Sequence, residues 1–313
     1  MNILSKRKII LDCDPGHDDA IAILLAAGNP NIELVGITTV SGNAEIDKVT
    51  QNALKVCEVA NLKNIPVVKG SGQPLVRARE NAPAIHGESG MDGPVLPDPT
   101  IKAQDEHAVH FIIRKLLESD GDITLVPVGP LTNIAMAMRL EPKILPKIKE
   151  IVLMGGGSFG NWTPAAEFNI YADAEAAKVV FESGVPITMM GLDLTHQALA
   201  TPEVTEKIGN INNQASEFVK ELLTYFRKTY FEVFGFEHPP VHDACSVAYV
   251  IDPSVIETKK LHVEIETNSK LTYGMTVIDY LGVTGKEPNV NVSIKLDHEK
   301  FWNMVADSLR NLG

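Results

Sequence analysis

Short apolar segments alternate along the chain with segments of helical hydrophobic periodicity. The apolar segments predict strands at residues 32–40, 65–68, 123–128, 151–154 and 187–190. The segments between them predict helices near residues 47–60, 105–117, 131–139 and 173–183. Strands that are apolar on both faces are typical of a parallel sheet covered by helices on both sides. The alternation therefore predicts an α/β fold with an open, doubly wound, mostly parallel central sheet flanked by helices.

The pattern changes after Pro202. Further helices are predicted at residues 217–234, 244–250 and 300–309. Residues 259–296 are richer in β-branched side chains, which favours a small antiparallel addition near the C-terminus. Because no linker, low-complexity tract or internal repeat interrupts the pattern, we expect a single domain over residues 1–313.

The composition is acidic and otherwise ordinary for a globular protein with a large core. Of the 313 residues, 44% are hydrophobic and 22% are charged, and the formal net charge is -12. A negative chain has no general attraction for nucleic acid or anionic lipid, so neither is expected as a partner. No apolar stretch is long enough for a membrane span, and the run between Lys8 and Asp12 is too short for a signal peptide. Three widely spaced cysteines, Cys13, Cys57 and Cys245, suggest reduced thiols in a cytoplasmic protein.

An apolar run near the N-terminus ends in a dense group of acids. Four carboxylates fall within eight residues, at Asp12, Asp14, Asp18 and Asp19. Two carboxylates about 5 Å apart repel by roughly 3 kcal/mol at an effective dielectric constant near 20. Such a group therefore favours a hard metal ion with oxygen ligands. Helix capping is the alternative, and it accounts for Asp18 or Asp19 but not for Asp14.

Other polar candidates follow the ends of later strands or lie in irregular segments. They are Asn43, Asn161, Glu167, Asn169 and the pair His242-Asp243. Amides and an acid offer both donors and acceptors, which suits a ligand with several hydroxyl groups. A histidine beside a metal-binding acid suits proton transfer near neutral pH. Ordinary loop polarity, and an N-cap role for Asp243, remain the competing interpretations.

Five motifs together resemble those of the nucleoside hydrolases, the inosine/uridine-preferring group of N-ribohydrolases. Residues 12–20 are similar to that family's DxDPGxDD signature. Similar motifs stand in the same order at residues 126–133, 154–156, 167–169 and 241–243. The resemblance covers nearly the whole chain. It implies hydrolysis of the N-glycosidic bond of purine and/or pyrimidine ribonucleosides to ribose and free base, as in nucleoside salvage.

The resemblance also implies roles for individual residues. One Ca²⁺ per subunit would be bound by Asp14, Asp19, Asp243 and the backbone carbonyl of Val128. Asp14 would also act as general base on a metal-bound water that attacks the anomeric carbon. The residues expected at the ribose are Asp18, Asn43, Met154, Asn161, Glu167 and Asn169. His242 would protonate or polarise the leaving base, with His86 and Tyr230 close to that base. His17, placed in the turn, receives no role.

Two other functions remain open from the sequence. A haloacid-dehalogenase-like phosphatase also has DxD at the end of its first strand, but Thr or Val usually stands where this chain has Gly16. A non-catalytic binder of ribose or nucleosides would have no need of Asp14 and His242. The base preference stays open because base contacts come from residues 71–104 and 225–240, which are the hardest to predict. The resemblance implies a homodimer or homotetramer without deciding between them.

Overall fold

The computed structural model describes residues 6–312 and is built on a nine-stranded sheet. The strands are β1 (Arg7–Cys13), β2 (Ile32–Thr39), β3 (Val67–Lys69), β4 (Ile123–Pro127), β5 (Ile148–Met154), β6 (Ile187–Met190), β7 (Ile256–Ile265), β8 (Thr276–Asp279) and β9 (Val290–Leu296). The first six helices are α1 (His17–Gly28), α2 (Ile46–Val59), α3 (Pro83–His86), α4 (Ala108–Glu118), α5 (Thr132–Leu140) and α6 (Phe168–Ala172). The others are α7 (Ala174–Phe181), α8 (Leu192–Thr195), α9 (Pro202–Gly209), α10 (Gln214–Phe234), α11 (Ala244–Ile251) and α12 (His298–Arg310).

The strands lie in the order β3-β2-β1-β4-β5-β6-β9-β7-β8. From β3 to β9 neighbouring strands pair in parallel, whereas β7 runs antiparallel to β9 and β8 antiparallel to β7. The predicted α/β class, with a mostly parallel sheet and an antiparallel C-terminal addition, is confirmed. One detail differs from the prediction, because β9 pairs with β6 and so belongs to the parallel part.

The chain reverses its direction of winding between β1 and β4. The segments after β1 build the sheet toward β3, and those after β4 build it toward the opposite edge. In open α/β sheets, ligands bind beyond the carboxyl ends of the strands at such a switch point. Asp12 of β1 lies beside Pro127 of β4. The next residues after the two strands, Asp14 and Val128, therefore stand at the crevice.

Helix α1 is buried along nearly its whole length. It packs against α10, α11 and α12 as well as β2, and its residues after the first turn are almost all apolar. A helix that is apolar all round is typical of an enclosed position. The apolar side chains of the described residues form two clusters, one of which contains α1. This packing fixes the first turn of α1, with Asp18 and Asp19, at the crevice. Among the helices of residues 6–312, none is long and apolar enough to cross a membrane.

Candidate active site

The turn between β1 and α1 is folded around the carboxylate of Asp19. Asp19 Oδ1 accepts the backbone N–H of Asp14 at 3.0 Å, and Oδ2 accepts that of Gly16 at 2.9 Å. The side chain of Asn43, after β2, donates a further hydrogen bond to Oδ2 at 3.2 Å. The capping interpretation therefore holds for Asp19. The same hydrogen bonds fix the backbone of Asp14 at the crevice.

Four carboxylates, which we call the carboxylate cluster, meet at this point: Asp14, Asp18, Asp19 and Asp243. Carboxylate oxygens of Asp18, Asp19 and Asp243 lie within 4.8 Å of one another. Asp14 adjoins them closely enough for the charges of Asp19 and Asp18 to act on it. Asp243 stands at the start of α11, but its side chain makes no capping hydrogen bond. The N-cap alternative for Asp243 is therefore wrong, and this side chain is left to the cluster.

Burial raises the pKa of every member of the carboxylate cluster. Burial, and then the charge of Asp19, raises the pKa of Asp18 to about 8. Burial, and then the charge of Asp19, holds the pKa of Asp14 well above the usual range. Burial, and then the charges of Asp18 and Asp19, does the same for the pKa of Asp243. No lysine or arginine in residues 6–312 forms an ion pair with any of the four. Because buried carboxylates need a positive partner to stay ionised, this set of oxygen donors fits a hard divalent cation.

Asp14 has one carboxylate oxygen that is enclosed but not hydrogen-bonded. Its Oδ2 accepts the backbone N–H of Asn43 at 2.7 Å, whereas its buried Oδ1 has no hydrogen-bond partner among the described residues. Two glycines make room for it, since a Cβ at Gly129 would lie 2.3 Å from Oδ1 and one at Gly42 2.1 Å from Oδ2. An unpartnered carboxylate oxygen held in this way suits a metal ligand or a general base.

A cavity of about 490 Å³ adjoins the carboxylate cluster. Most of the residues singled out from the sequence line it: Asp18, Asn43, His86, Val128, Met154, Asn161, Glu167, Asn169, Tyr230, His242 and Asp243. The other two, Asp14 and Asp19, belong to the cluster. The structure thus brings these residues together in one place, although they are spread over more than two thirds of the chain. Asp12, the remaining acid of the N-terminal group, instead accepts hydrogen bonds from Thr38 and Asn133.

Further polar groups that line the cavity are held by hydrogen bonds with the backbone. Glu167 accepts the N–H groups of Gly156 at 2.9 Å and of Asn169 at 2.8 Å. Burial raises the pKa of Glu167 to about 7. The side-chain amide of Asn169 donates to the carbonyl of Val128 at 2.8 Å, and Asn161 Oδ1 accepts from the backbone of Phe168. These side chains therefore have fixed positions before any ligand arrives.

Comparison with known proteins gives this site a family. The family model described as inosine-uridine preferring nucleoside hydrolase matches residues 9–303. The chain belongs to this family. It is 53% identical over 308 residues to the pyrimidine-specific ribonucleoside hydrolase RihB of Escherichia coli, covering 98% of each protein.

Solved structures agree with that assignment. The purine-preferring ribonucleoside hydrolase from Gardnerella vaginalis is 33% identical, with a TM-score of 0.91 over 97% of this chain and 98% of that chain. An inosine-guanosine nucleoside hydrolase is 32% identical, with a TM-score of 0.87 and the same coverage. The protein is therefore an enzyme, a ribonucleoside hydrolase. The phosphatase and non-catalytic binder alternatives are set aside by this finding.

In this nucleoside hydrolase, both ring nitrogens of His242 are engaged by hydroxyl groups. Nδ1 lies 2.7 Å from Thr195 Oγ1, and Nε2 lies 2.6 Å from the hydroxyl of Tyr230. Burial holds the pKa of His242 well below its usual range, so the ring is neutral. Sequence reasoning missed Thr195, which ends the four-residue helix α8. A helix this short has no periodicity by which its buried positions could be recognised.

Aromatic side chains form another side of the cavity, which we call the aromatic wall: Trp162, Phe226, Tyr230 and Phe234. Three of them come from α10, with ring centroids 4.6 Å apart for Phe226 and Tyr230 and 5.2 Å apart for Tyr230 and Phe234. Of this group, only Tyr230 was singled out from the sequence. Helical periodicity marked α10 as amphipathic, but it could not show that one face of the helix borders a cavity.

The sequence analysis placed His17 in the turn, and this prediction is wrong. His17 is the first residue of α1 and is fully buried. Its Nδ1 lies 3.1 Å from His86 Nδ1, and its Nε2 lies 2.8 Å from the backbone carbonyl of Asp92. The rings of Tyr225 and Phe226 stack on it, with centroids 5.2 Å and 5.0 Å away. One feature of the sequence could have pointed to this residue, which is its place inside the acidic motif.

Proposed function

We propose that this ribonucleoside hydrolase acts on pyrimidine ribonucleosides, such as uridine and cytidine, and depends on Ca²⁺. The observation that carries the proposal is the orphaned Oδ1 of Asp14 in a carboxylate cluster that adjoins a cavity of nucleoside size. The pyrimidine preference rests on the relatives named pyrimidine-specific, which match 98% of this chain at 53% identity.

The residues proposed to bind the ion are Asp14, Asp19 and Asp243, with the carbonyl of Val128. Carboxylate and carbonyl oxygens are the ligands that Ca²⁺ prefers. When bound, the ion supplies positive charge that orients and acidifies water and offsets the negative charge of the buried carboxylates. Asp18 belongs to the same oxygen cluster and also lines the cavity, so it stands where a ribose hydroxyl would meet the ion site.

Asp14 is proposed as the general base. Its Oδ2 is held by the N–H of Asn43, which leaves Oδ1 free to take the proton of a water as that water attacks the anomeric carbon. Positive charge develops on the sugar as the N-glycosidic bond breaks. The negative charge of nearby carboxylates favours that charge distribution, because electrostatic stabilisation is strongest in a buried site.

Asn43, Met154, Asn161, Glu167 and Asn169 are proposed to bind the ribose. Their polar groups are fixed by backbone hydrogen bonds, so they are arranged in advance for several hydroxyl groups. A sugar that lacks the 2′-hydroxyl leaves buried polar groups without partners. Such losses give strong discrimination, so deoxyribonucleosides should be poor substrates.

Departure of the base is assigned to Tyr230 and His242, with His86 close to the base. Since His242 Nε2 contacts the Tyr230 hydroxyl at 2.6 Å, a proton can pass from that hydroxyl to the departing base while a neutral His242, with its proton on Nε2, donates a hydrogen bond to the tyrosinate that remains. The tyrosinate regains its proton from solvent after the base has left. Thr195 fixes the orientation of His242 through Nδ1. The expected acid role of His242 is thus exerted together with Tyr230.

Three broader expectations stay proposals. They are a single domain, a homodimer or homotetramer, and a cytoplasmic location. The continuous nine-stranded sheet supports the first of them. The three cysteines, which are buried and unpaired, agree with a reducing compartment.

The experiment that tests the proposed function measures release of the free sugar and base from uridine, cytidine, inosine, adenosine and 2′-deoxyuridine. Each substrate is assayed with the enzyme as prepared, after a chelator, and after addition of Ca²⁺ or Mg²⁺. We expect fast release from uridine and cytidine, loss with chelator, and recovery with Ca²⁺. Release that survives complete removal of divalent ions would refute the calcium dependence. A preference for inosine and adenosine would refute the pyrimidine assignment.

A further inference from the structure

His86 lies at the end of α3 with its two ring nitrogens in different surroundings. Its Nδ1 faces the first turn of α1, where a Cβ built on Gly16 would come within 2.4 Å of it. The Nδ1 of His17 is 3.1 Å away from this nitrogen. His86 Nε2 has no hydrogen-bond partner in residues 6–312. It is also not one of the fully enclosed unpartnered atoms in that part of the chain, so it is accessible. Since His86 lines the cavity, Nε2 is the nitrogen that a ligand can reach.

The hydrogen bonds of His17 determine which nitrogen of His86 carries the proton. His17 Nε2 lies 2.8 Å from the backbone carbonyl of Asp92, which can only accept, so the proton of His17 is on Nε2. The fully buried ring is neutral, because a charged imidazole without an acidic partner on either nitrogen is costly to bury. His17 Nδ1 is therefore bare and accepts. The 3.1 Å contact then requires that His86 Nδ1 donates.

A competing contact points the other way and is weaker. The backbone N–H of His17 lies 3.4 Å from His86 Nδ1, at the long end of the range for a hydrogen bond. If that contact decided the tautomer, two bare Nδ1 atoms would face each other at 3.1 Å without a proton between them. The shorter ring-to-ring hydrogen bond avoids this repulsion.

We infer that His17 is a positioning residue that holds His86 as its Nδ1-protonated tautomer, so that the bare Nε2 accepts an N–H group of the nucleobase. The inference rests on the proposed function, since it takes the base to lie in this cavity. The class of ligand that it selects is a base with an N–H donor on the edge facing His86, such as the imide of uracil. A base edge that offers only acceptors would be repelled by the lone pair of His86 Nε2.

The direct test is the tautomer of His86 in the Ca²⁺-loaded enzyme labelled with ¹⁵N-histidine. Bare and protonated imidazole nitrogens are well separated in ¹⁵N chemical shift, and the His86→Gln variant identifies the signals of His86. We expect a protonated Nδ1 and a bare Nε2 for His86, and the reverse for His17. A protonated Nε2 at His86 in the wild-type enzyme overturns the inference, whatever the variants do.

The variant His17→Phe keeps a ring between α1 and α10 but removes the acceptor. The backbone N–H at position 17 is then the remaining partner of His86 Nδ1, so the tautomer should invert. Loss of one neutral hydrogen bond to the base corresponds to a rise of about tenfold in KM for uridine with kcat changed by less than about threefold. Inhibition by free ribose should stay the same. The control Tyr225→Phe keeps the stacked ring and should match the wild type in both measurements.

The outcomes separate this inference from the proposed function. If no ribonucleoside is hydrolysed, the proposed function fails, and the wild-type ¹⁵N signals still decide the tautomer. If uridine is hydrolysed and His17→Phe inverts the tautomer without raising KM, His86 does not accept from the base. If KM rises while the tautomer is unchanged, His17 acts through packing alone. Each of the last two results overturns the inference.

Discussion

The carboxylate cluster and the aromatic wall border the same cavity but are built in different ways. The cluster stands on residues that directly follow β1 or begin α1 and α11, and the hydrogen bonds of Asp19 fix its backbone. The wall comes mainly from one face of α10, whose place depends on packing against α1, α3 and α9. The cluster is thus fixed at the end of β1 and at the starts of two buried helices, and the wall by the contacts of one face of a long helix.

This difference suggests a division of labour within the proposed reaction. The ribose is common to all ribonucleosides and meets the carboxylate cluster. The base varies from one nucleoside to another and meets the part of the site that a helix face and the segment around His86 supply. Changes in the cluster should therefore affect every substrate alike, whereas changes in the wall should affect substrates according to their base.

The largest effect is expected for Asp14→Asn. The amide keeps the volume of the side chain but cannot take a proton, so kcat for uridine and cytidine should fall by about a thousandfold or more. Inhibition by free ribose should change much less. The measurement is steady-state ribose release on both substrates.

The matched control for this variant is Asp12→Asn. Asp12 is also a buried carboxylate with one unpartnered oxygen, Oδ2, but its Oδ1 accepts from the side chains of Thr38 and Asn133 and it is not a member of the carboxylate cluster. Its kcat should stay within about tenfold of the wild type, since Asp12 is assigned no part in holding the ion, the water or the nucleoside. Near-normal turnover in Asp14→Asn would remove Asp14 as the base. A loss confined to one of the two substrates would contradict the division of labour.

The next effect concerns stability, through Glu167. Burial raises its pKa from 4.5 to about 7, so the folded state binds a proton more tightly than the unfolded state. Stability from this source is fully present below about pH 4.5 and is lost as the pH rises through 7. The loss amounts to at most about 3 kcal/mol. Glu167→Gln has no proton to lose, so its free energy of unfolding should fall less between pH 4.5 and 8.

Urea unfolding of the chelated, ligand-free enzyme at a series of pH values measures this difference. The exposed position Glu232 provides the control, and Glu232→Gln should follow the wild-type curve. Parallel curves for wild type and Glu167→Gln would show that the carboxyl group is not desolvated in the free enzyme. In that case water would reach Glu167 in the free enzyme.

The carboxylate cluster could largely be predicted from the sequence, whereas the aromatic wall could not. Asp14, Asp18 and Asp19 were found because a strand end and a helix start bring them together within a few residues. The predicted strands and helices are also present, with ends that differ by at most three residues. Asp243 and Glu167 lie far away in the chain. The residue types alone offered Asp243 as a distant metal ligand, with an N-cap role as the alternative, and only the resemblance to a family connected Glu167 to the same site.

The remaining contacts depend on packing between distant segments, which hydrophobic periodicity does not encode. Phe226 and Phe234 were visible as part of an amphipathic helix, but their neighbours were not. His17 was placed in a turn because it follows Pro15-Gly16, whereas the structure begins α1 at this residue. The ring contact between His17 and His86 spans 69 positions and has no local signal.

A smaller effect is expected for Tyr230→Phe, which belongs to the wall but touches His242. Removal of the hydroxyl should slow uridine hydrolysis by about ten- to a hundredfold, because the departing base loses its proton donor. A nitrophenyl riboside, whose leaving group needs no proton, should slow by less than about threefold. Equal losses on the two substrates would argue against an acid role, and Tyr225→Phe on the same helix should change neither.

The smallest effect is expected for Phe234→Ala, at the end of α10. This ring is 40% exposed and lines the cavity without contacting the carboxylate cluster. Its removal takes apolar surface from the base side only, so KM should rise by a few fold, about 1 kcal/mol of binding. The rise should differ between uridine and cytidine, while inhibition by ribose stays constant.

The control for Phe234→Ala is Phe231→Ala, since Phe231 is 61% exposed on the same helix but does not line the cavity. It should leave KM for both substrates unchanged. If Phe234→Ala weakens ribose and both nucleosides equally, the wall acts on the sugar as well as on the base. The helix face and the sheet would then form one binding surface, and base selectivity would have to come from His86 and its neighbours in the segment before α4.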